Sequence, residues 1–290
     1  MKVLTLRDAL DEYKNIYMAY RNFAERTREE YQNDLENLIK FLEKAGITKI
    51  KQLRLQTIER YGAELEKRGL ASLTRKRKVV TIRSFLMFLY RENYIASNIA
   101  KWIVLPFTDN TTPKFLTQTE CDHLRNACLK DPRDKAIIEL LLQTGIKLSE
   151  LIGLNVDDLD FANDGDSGLI RLVGGRGTKS RLIKMNNQAC IALKDYLHVR
   201  GNIQHEKLFL NRFGEALGER GVQKILKTYF KIAGIQRASV HTLRHTFGIH
   251  QLSLGASPRT IKEVMGYRDS RSISIYTEVA KYGRQKIIQK

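Results

Sequence analysis

Between Trp102 and Lys114 the helical rhythm of this chain stops. Pro106 and Pro113 bracket Thr108-Asp109-Asn110-Thr111-Thr112, a run of turn formers whose prolines cannot continue a helix. An extended linker of this kind divides the 290 residues into a domain over 1–102, a linker over 103–114 and a domain over 115–290. With 42% apolar residues, each part can bury a core of its own.

The first part reads as helices with few breakers. Tyr31, Leu35, Leu38, Phe41 and Leu42 follow the helical period, and Gly46 closes that segment. A second helix is expected over Leu55 to Lys67, ending at Gly69, and a third from about Leu73 to Glu92. In the third, Val79, Ile82, Leu86 and Leu89 are spaced by three and four. With an opening segment near Leu6 to Tyr17, these make a small helical bundle. Arg75, Lys76, Arg77 and Lys78 stand at the start of the third helix. There, positive charge is mildly unfavourable against the helix dipole, so a phosphate partner for some of the four is expected.

The second part mixes helices with one piece of sheet. Thr117-Gln118-Thr119-Glu120 is a capping box that opens a helix, another helix runs from Asp134 to Gln143 before Gly145, and Leu148 to Leu151 starts the next. Leu169 to Val173 and Arg181 to Met185, joined by Gly174-Gly175-Arg176-Gly177, form a hairpin. Helices are expected from Asn187 onward, punctuated by Gly201, Gly214, Gly234 and Gly255. The fold class is therefore mainly α, with an N-terminal helical bundle and a C-terminal mixed α+β domain carrying a small antiparallel sheet.

Charge narrows the function classes. The chain carries 50 Lys+Arg against 32 Asp+Glu, net +18. Residues 1–105 hold 21 basic and 13 acidic side chains and residues 106–290 hold 29 and 19, so both parts are basic and a polyanion touched by two lobes is the fitting partner. Cys121, Cys128 and Cys190 are odd in number and lack a CxxC pair. They are expected to be small buried residues in a reducing compartment rather than a disulfide framework or zinc site. No run of 18 apolar residues occurs and the first residues lack a signal-peptide core, so a cytoplasmic location is expected.

The chemistry concentrates in His241-Thr242-Leu243-Arg244-His245 and in Tyr276, which follows Arg244 by 32 positions. A histidine and an arginine three apart on a helix share a face. Such a pair can hold one phosphate while a phenol from a later segment attacks it. His241 and His245 have metal-ligand spacing, but Thr242 stands where an HExxH motif has its glutamate, and no metal site is expected. Neither GxxxxGK[ST] nor GxGxxG is present, so the glycine-rich turn is not a nucleotide cradle.

The order of these signals resembles the tyrosine recombinases, the phage-integrase and Xer group. Thr144-Gly145-Ile146-Lys147-Leu148-Ser149-Glu150-Leu151 looks like the family's first box, the basic hairpin follows, then His241-Thr-Leu-Arg244-His245, Gly266-Tyr267 and Tyr276. The likeness spans essentially the whole chain, with the N-terminal bundle resembling the family's SAM-like core-binding domain. Three positions depart from it. Lys147 stands where the family has arginine, Arg176 falls on the family's hairpin lysine although Lys179 lies in the same turn, and Tyr267 replaces the usual His or Trp. Lys147 keeps the charge but loses the planar fork that meets two phosphate oxygens at once.

The resemblance implies a metal-free and ATP-free breaking and rejoining of double-stranded DNA at specific sites. Tyr276 would form a 3′-phosphotyrosine, and a homotetramer would exchange strands through a Holliday junction in the cytoplasm, associated with the nucleoid. Arg244 and Lys147 would neutralise the non-bridging oxygens, with Glu150 either pairing with Arg244 or orienting it. His241 would donate to the phosphate or take the tyrosine proton, and His245 would support from behind. The leaving 5′ oxygen needs an acid. Lys179 suits the chemistry, since an arginine pKa exceeds 12, whereas Arg176 suits the alignment. Lys281 to Lys290 is a candidate tail for docking on a neighbouring subunit. Two alternatives stand beside this reading: a DNA-binding family member with weakened or no cleavage, and a type IB topoisomerase-like enzyme.

Overall fold

The computed structural model describes residues 5–108, 112–163, 165–174, 179–267, 269 and 271–288, with backbone alone for 271, 272 and 282–288. The chain forms two compact units, Met1–Asn110 and Thr111–Lys290.

The N-terminal unit is helical. Helix α1 (Leu6–Glu12) starts at a Thr5–Asp8 capping box and runs through a π-helical turn (Tyr13–Tyr17) into α2 (Met18–Tyr20). Helices α3 (Glu25–Lys44), α4 (Leu55–Lys67) and α5 (Ser72–Arg91) complete the bundle. The periodic positions Leu35, Leu38, Leu42, Val79, Ile82, Leu86 and Leu89 face its core, while Tyr31 and Phe41 are half-buried at its edge. The α3 helix begins six residues before Tyr31, because Glu25 to Glu30 carry no apolar period to announce it.

The basic quartet ahead of Val79 is held largely inside this unit. Asp34, 2% exposed, accepts from Arg77 Nη1 (2.6 Å), Arg77 Nη2 (3.0 Å) and Lys78 Nζ (2.6 Å). Arg75 pairs with Glu66 at 2.6 Å, and Lys76 donates to the Thr108 hydroxyl at 3.1 Å. A phosphate partner was expected for some of these four, and within the chain itself Arg77 and Lys78 are already engaged by an acid. A buried carboxylate left unpaired would be costly, so Asp34 draws two of the four cations onto α3.

In the C-terminal unit, α6 (Gln118–Ala127) opens with the Thr117–Glu120 box, and α7 (Pro132–Thr144) is capped by Asp131 at one end and by left-handed Gly145 at the other. A short α8 (Leu148–Gly153) follows. Strands β1 (Leu159–Phe161), β2 (Gly168–Leu172) and β3 (Arg181–Met185) form an antiparallel sheet in that order, with Ile170 opposite Ile183 in the core. Strand β1 is additional to the expected hairpin. Three residues are too few to show alternation, and pairing with β2 alone defines them.

Helices α9 (Asn187–Arg200), α10 (Glu219–Ile232), α11 (Val240–Ser253), α12 (Pro258–Met265) and α13 (Arg271–Ile288) follow. The stretch 201–218, expected to be helical between its glycines, is irregular instead. Asn211 accepts backbone N–H bonds from Phe213 and Glu215, which closes a turn, and Leu208 and Phe209 sink into the core as irregular backbone. Helix α7 is buried on nearly every side. It packs against α9 and α11, while α13 lies across the other side of α11. The three cysteines are buried and form no disulfide among the described residues. Among the described residues, no helix is long and apolar enough to cross a membrane.

Candidate active site

Helix α11 organises the site because its residues serve two masses at once. Leu243 joins the main core, whereas Phe247 and Ile249 join a smaller cluster with Ile261, Met265, Ile273 and Tyr276 of α12 and α13. Gly248 makes the second contact possible: a Cβ there would sit 2.8 Å from the Tyr276 ring and 3.1 Å from the Met265 sulfur. The ring can therefore lie directly on the α11 backbone.

Arg244, 4% exposed, points from α11 into the seam between these masses. Its Nη1 donates to the Gly145 carbonyl and its Nη2 to the Met265 carbonyl. Its Nε lies 3.4 Å from the Tyr267 hydroxyl, and its guanidinium carbon sits 4.7 Å from the Tyr267 ring centroid. These partners are carbonyls and a phenol, which orient the cation without neutralising it. A buried charge held by neutral acceptors is a seat for an anion.

The Tyr276 hydroxyl completes a chain of contacts from there. It is 2.8 Å from the Tyr267 hydroxyl and 2.5 Å from His245 Nδ1, and the ring is only 3% exposed. Burial, and then the Tyr267 hydroxyl, push its pKa well above the usual phenol range, while the Arg244 charge opposes them. Burial pushes the His245 imidazole down to about 4, aided by His241 and Arg244, so it is neutral at pH 7. A neutral Nδ1 in contact with a phenol can accept its proton.

The two histidines divide the site differently from the sequence reading. His245 makes the tyrosine contact expected for His241. His241 is exposed, with its ring centroid 6.5 Å from that of His245, on the rim of a groove of about 740 Å³ that also takes Lys227, Lys231 and Arg237. Both histidines lie on one face of α11, and only the crossing of α13 selects the nearer.

The alternative pairing of Arg244 with Glu150 is corrected. Glu150 accepts from Arg181 Nη1 and Nη2, both at 2.9 Å, and from the Lys147 backbone N–H at 2.8 Å. Burial acts to raise the Glu150 pKa, but the Arg181 fork and the Lys147 amide outweigh it and the net shift is downward. The Lys147 ammonium stands 4.0 Å from Glu150 Oε1, and burial, with Arg244 and Arg181 nearby, lowers its pKa against the opposing pull of Glu150. Arg181 is the residue that sequence reading missed. It looked like one more charge on a hairpin, and only the fold carries it to Glu150.

Lys179 is exposed just ahead of β3, and Arg176 lies outside the described residues, as do the side chains of most of the Lys281 to Lys290 tail. Among the described residues, no group of three His, Cys, Asp or Glu side chains is arranged to hold a metal ion.

Comparison with known proteins finds family matches for both parts of the chain. Residues 114–282 match the phage integrase family and residues 10–93 match the phage integrase N-terminal SAM-like domain. The chain is 36% identical to a tyrosine recombinase XerC of Thermodesulfovibrio yellowstonii over 86% of this chain and 84% of that protein. It is 33% identical to a tyrosine recombinase XerD of Halalkalibacterium halodurans over 96% and 95%. Among solved structures it is similar to a XerH site-specific recombinase bound to a palindromic difH substrate (TM-score 0.78, 19% identity, 96% and 84% covered). It is also similar to a lambda integrase tetramer bound to a Holliday junction (TM-score 0.76, 16% identity, 95% and 78% covered).

Proposed function

The chain belongs to the phage integrase family, the tyrosine recombinases, and on that premise we propose that it cuts and rejoins DNA strands at specific sites through a covalent Tyr276–3′-phosphate link. The observation that carries the reading is the contact chain from His245 through the Tyr276 and Tyr267 hydroxyls to Arg244. A neutral base and an uncompensated cation, neighbours on α11, meet there a nucleophile brought in by α13.

In the proposed reaction the Tyr276 oxygen attacks phosphorus as its proton passes directly to His245. Arg244 and Lys147 take the growing charge on the non-bridging oxygens, and His241 adds a donor from the exposed rim. The bond to the 5′ oxygen breaks as Lys179 or Arg176 delivers a proton to it. A 5′ hydroxyl from a partner strand then attacks the phosphotyrosine, restoring a phosphodiester and returning the proton to Tyr276. One phosphodiester is exchanged for another through an ester of similar energy, so the scheme requires neither ATP nor a divalent metal. A homotetramer on two duplexes fits this chemistry, because strand exchange needs four ends held together. The lambda integrase tetramer lends it support. The place of action is the cytoplasmic nucleoid.

A second reading, a DNA-binding member with weakened cleavage, draws on Lys147 and on the burial of Tyr276. A nicked suicide substrate separates the two. The wild-type protein should form a covalent adduct resolvable on a denaturing gel. Tyr276→Phe should form none while keeping its DNA affinity, since one hydroxyl adds little to a phosphate-dominated interface. Lys147→Arg should raise the cleavage rate roughly ten- to a hundredfold by restoring a charge-assisted contact. If neither wild type nor Lys147→Arg forms an adduct, the binding-only reading stands instead.

A further inference from the structure

We propose that Arg181 is a positioning residue of the cleavage centre: by occupying both oxygens of Glu150 it keeps the Lys147 ammonium free to meet the scissile phosphate. The inference rests on the recombinase reading above and concerns a residue to which that reading gives no role.

Three groups compete around Glu150. The carboxylate receives the two arms of Arg181 at 2.9 Å and the Lys147 amide at 2.8 Å, while the Lys147 ammonium, on the same turn of chain, waits at 4.0 Å. Both cations and the acid are mostly screened from water: Glu150 and Arg181 side chains are 12% and 13% exposed and Lys147 is 35% exposed. In such surroundings a carboxylate deprived of its forked partner takes the nearest cation. That cation is Lys147, three residues away. An arginine at 147 could serve an acid with one arm and a phosphate with another, but an ammonium is a point charge. The departure at 147 thus makes the Arg181 fork matter more.

Arg181 is itself fixed from a second direction. Its Nε donates to the Val264 carbonyl at 2.8 Å, one residue before the Met265 carbonyl that holds Arg244 and three before Tyr267. The fit is close enough that a Cβ on Gly266 would come within 3.0 Å of the guanidinium. One side chain at the start of β3, two residues after Lys179, therefore sets the spacing between Lys147, which caps the start of α8, and the end of α12.

The test uses the full chain and single-turnover cleavage of a nicked suicide substrate, with DNA affinity and thermal melting measured alongside. Arg181→Met should slow cleavage about tenfold or more, the scale of losing one donor to the reacting phosphate, with DNA affinity changed less than about threefold. Adding Glu150→Gln to Arg181→Met should recover most of that loss, since a neutral amide does not hold Lys147. A merely architectural Arg181 predicts the opposite, a double variant no faster than the single one. If Arg181→Met does not fold, Arg181→Lys with and without Glu150→Gln carries the same comparison, with a smaller loss and the same recovery. Cleavage by Arg181→Met or Arg181→Lys at the wild-type rate, or no recovery in the double variant, overturns the proposal. The absence of an adduct with both wild type and Lys147→Arg overturns the recombinase reading itself.

Discussion

His245 is neutral at physiological pH because it is buried, with His241 and the Arg244 guanidinium beside it, and this sets a pH response for the C-terminal unit. Its folded pKa of about 4 lies below the ordinary 6.5. As pH falls, the unfolded chain therefore binds the proton first, and stability is full above 6.5 and lost progressively toward 4. The melting temperature of the wild type should fall across that window, and that of His245→Gln should fall less steeply. Parallel curves would mean that His245 is not held neutral. The residue scale also shows what spacing can and cannot say. Tyr276, Tyr267 and Arg244 were named from motif order, and the structure brings all three together. The choice of His245 over His241 as the phenol's neighbour was not legible, because residues four apart on a helix are equivalent until another helix lands on one of them.

At the scale of elements, α11 is the axis on which the others are placed. Its Gly248 lets α13 approach so closely that any side chain there must displace the Tyr276 ring or the Met265 sulfur. Gly248→Ala should cost about 1–3 kcal/mol, the usual range for overpacking a fitted core, read as a lower urea midpoint. A variant as stable as the wild type would show that the seam has room. The helix bounds over Leu55–Lys67 and the Arg181–Met185 strand were legible because apolar periods and glycine stops coincide there. The β1 strand and the irregular 201–218 stretch were not. Leu159-Asp160-Phe161 has no pattern of its own, and Asn211 replaces helical bonds with side-chain ones.

On the scale of the whole molecule, charge is the governing quantity. Both halves are basic and the total is +18, so DNA binding should weaken steeply with salt through counterion release. A chain making at least six phosphate contacts should lose roughly 10³-fold in affinity between 50 and 200 mM salt. A flat response would count against binding by both units. The Asp34 cluster tempers how that charge is counted, since Arg77 and Lys78 are spent on a buried acid while other cations stay exposed. By itself, the amino-acid order determined most of the helices, that two cores arise, and that a phenol, an imidazole pair and an arginine stand in a recombinase-like sequence. Those properties are local, carried by periods of three and four residues and by motifs read along the chain. Only the tertiary structure decided the partners: Arg181 for Glu150, 31 positions away, Gly145 for Arg244, 99 away, and His245 for Tyr276, again 31. Contacts at such separations depend on how helices cross, and crossing angles follow from the packing of whole cores, which no single stretch of sequence contains.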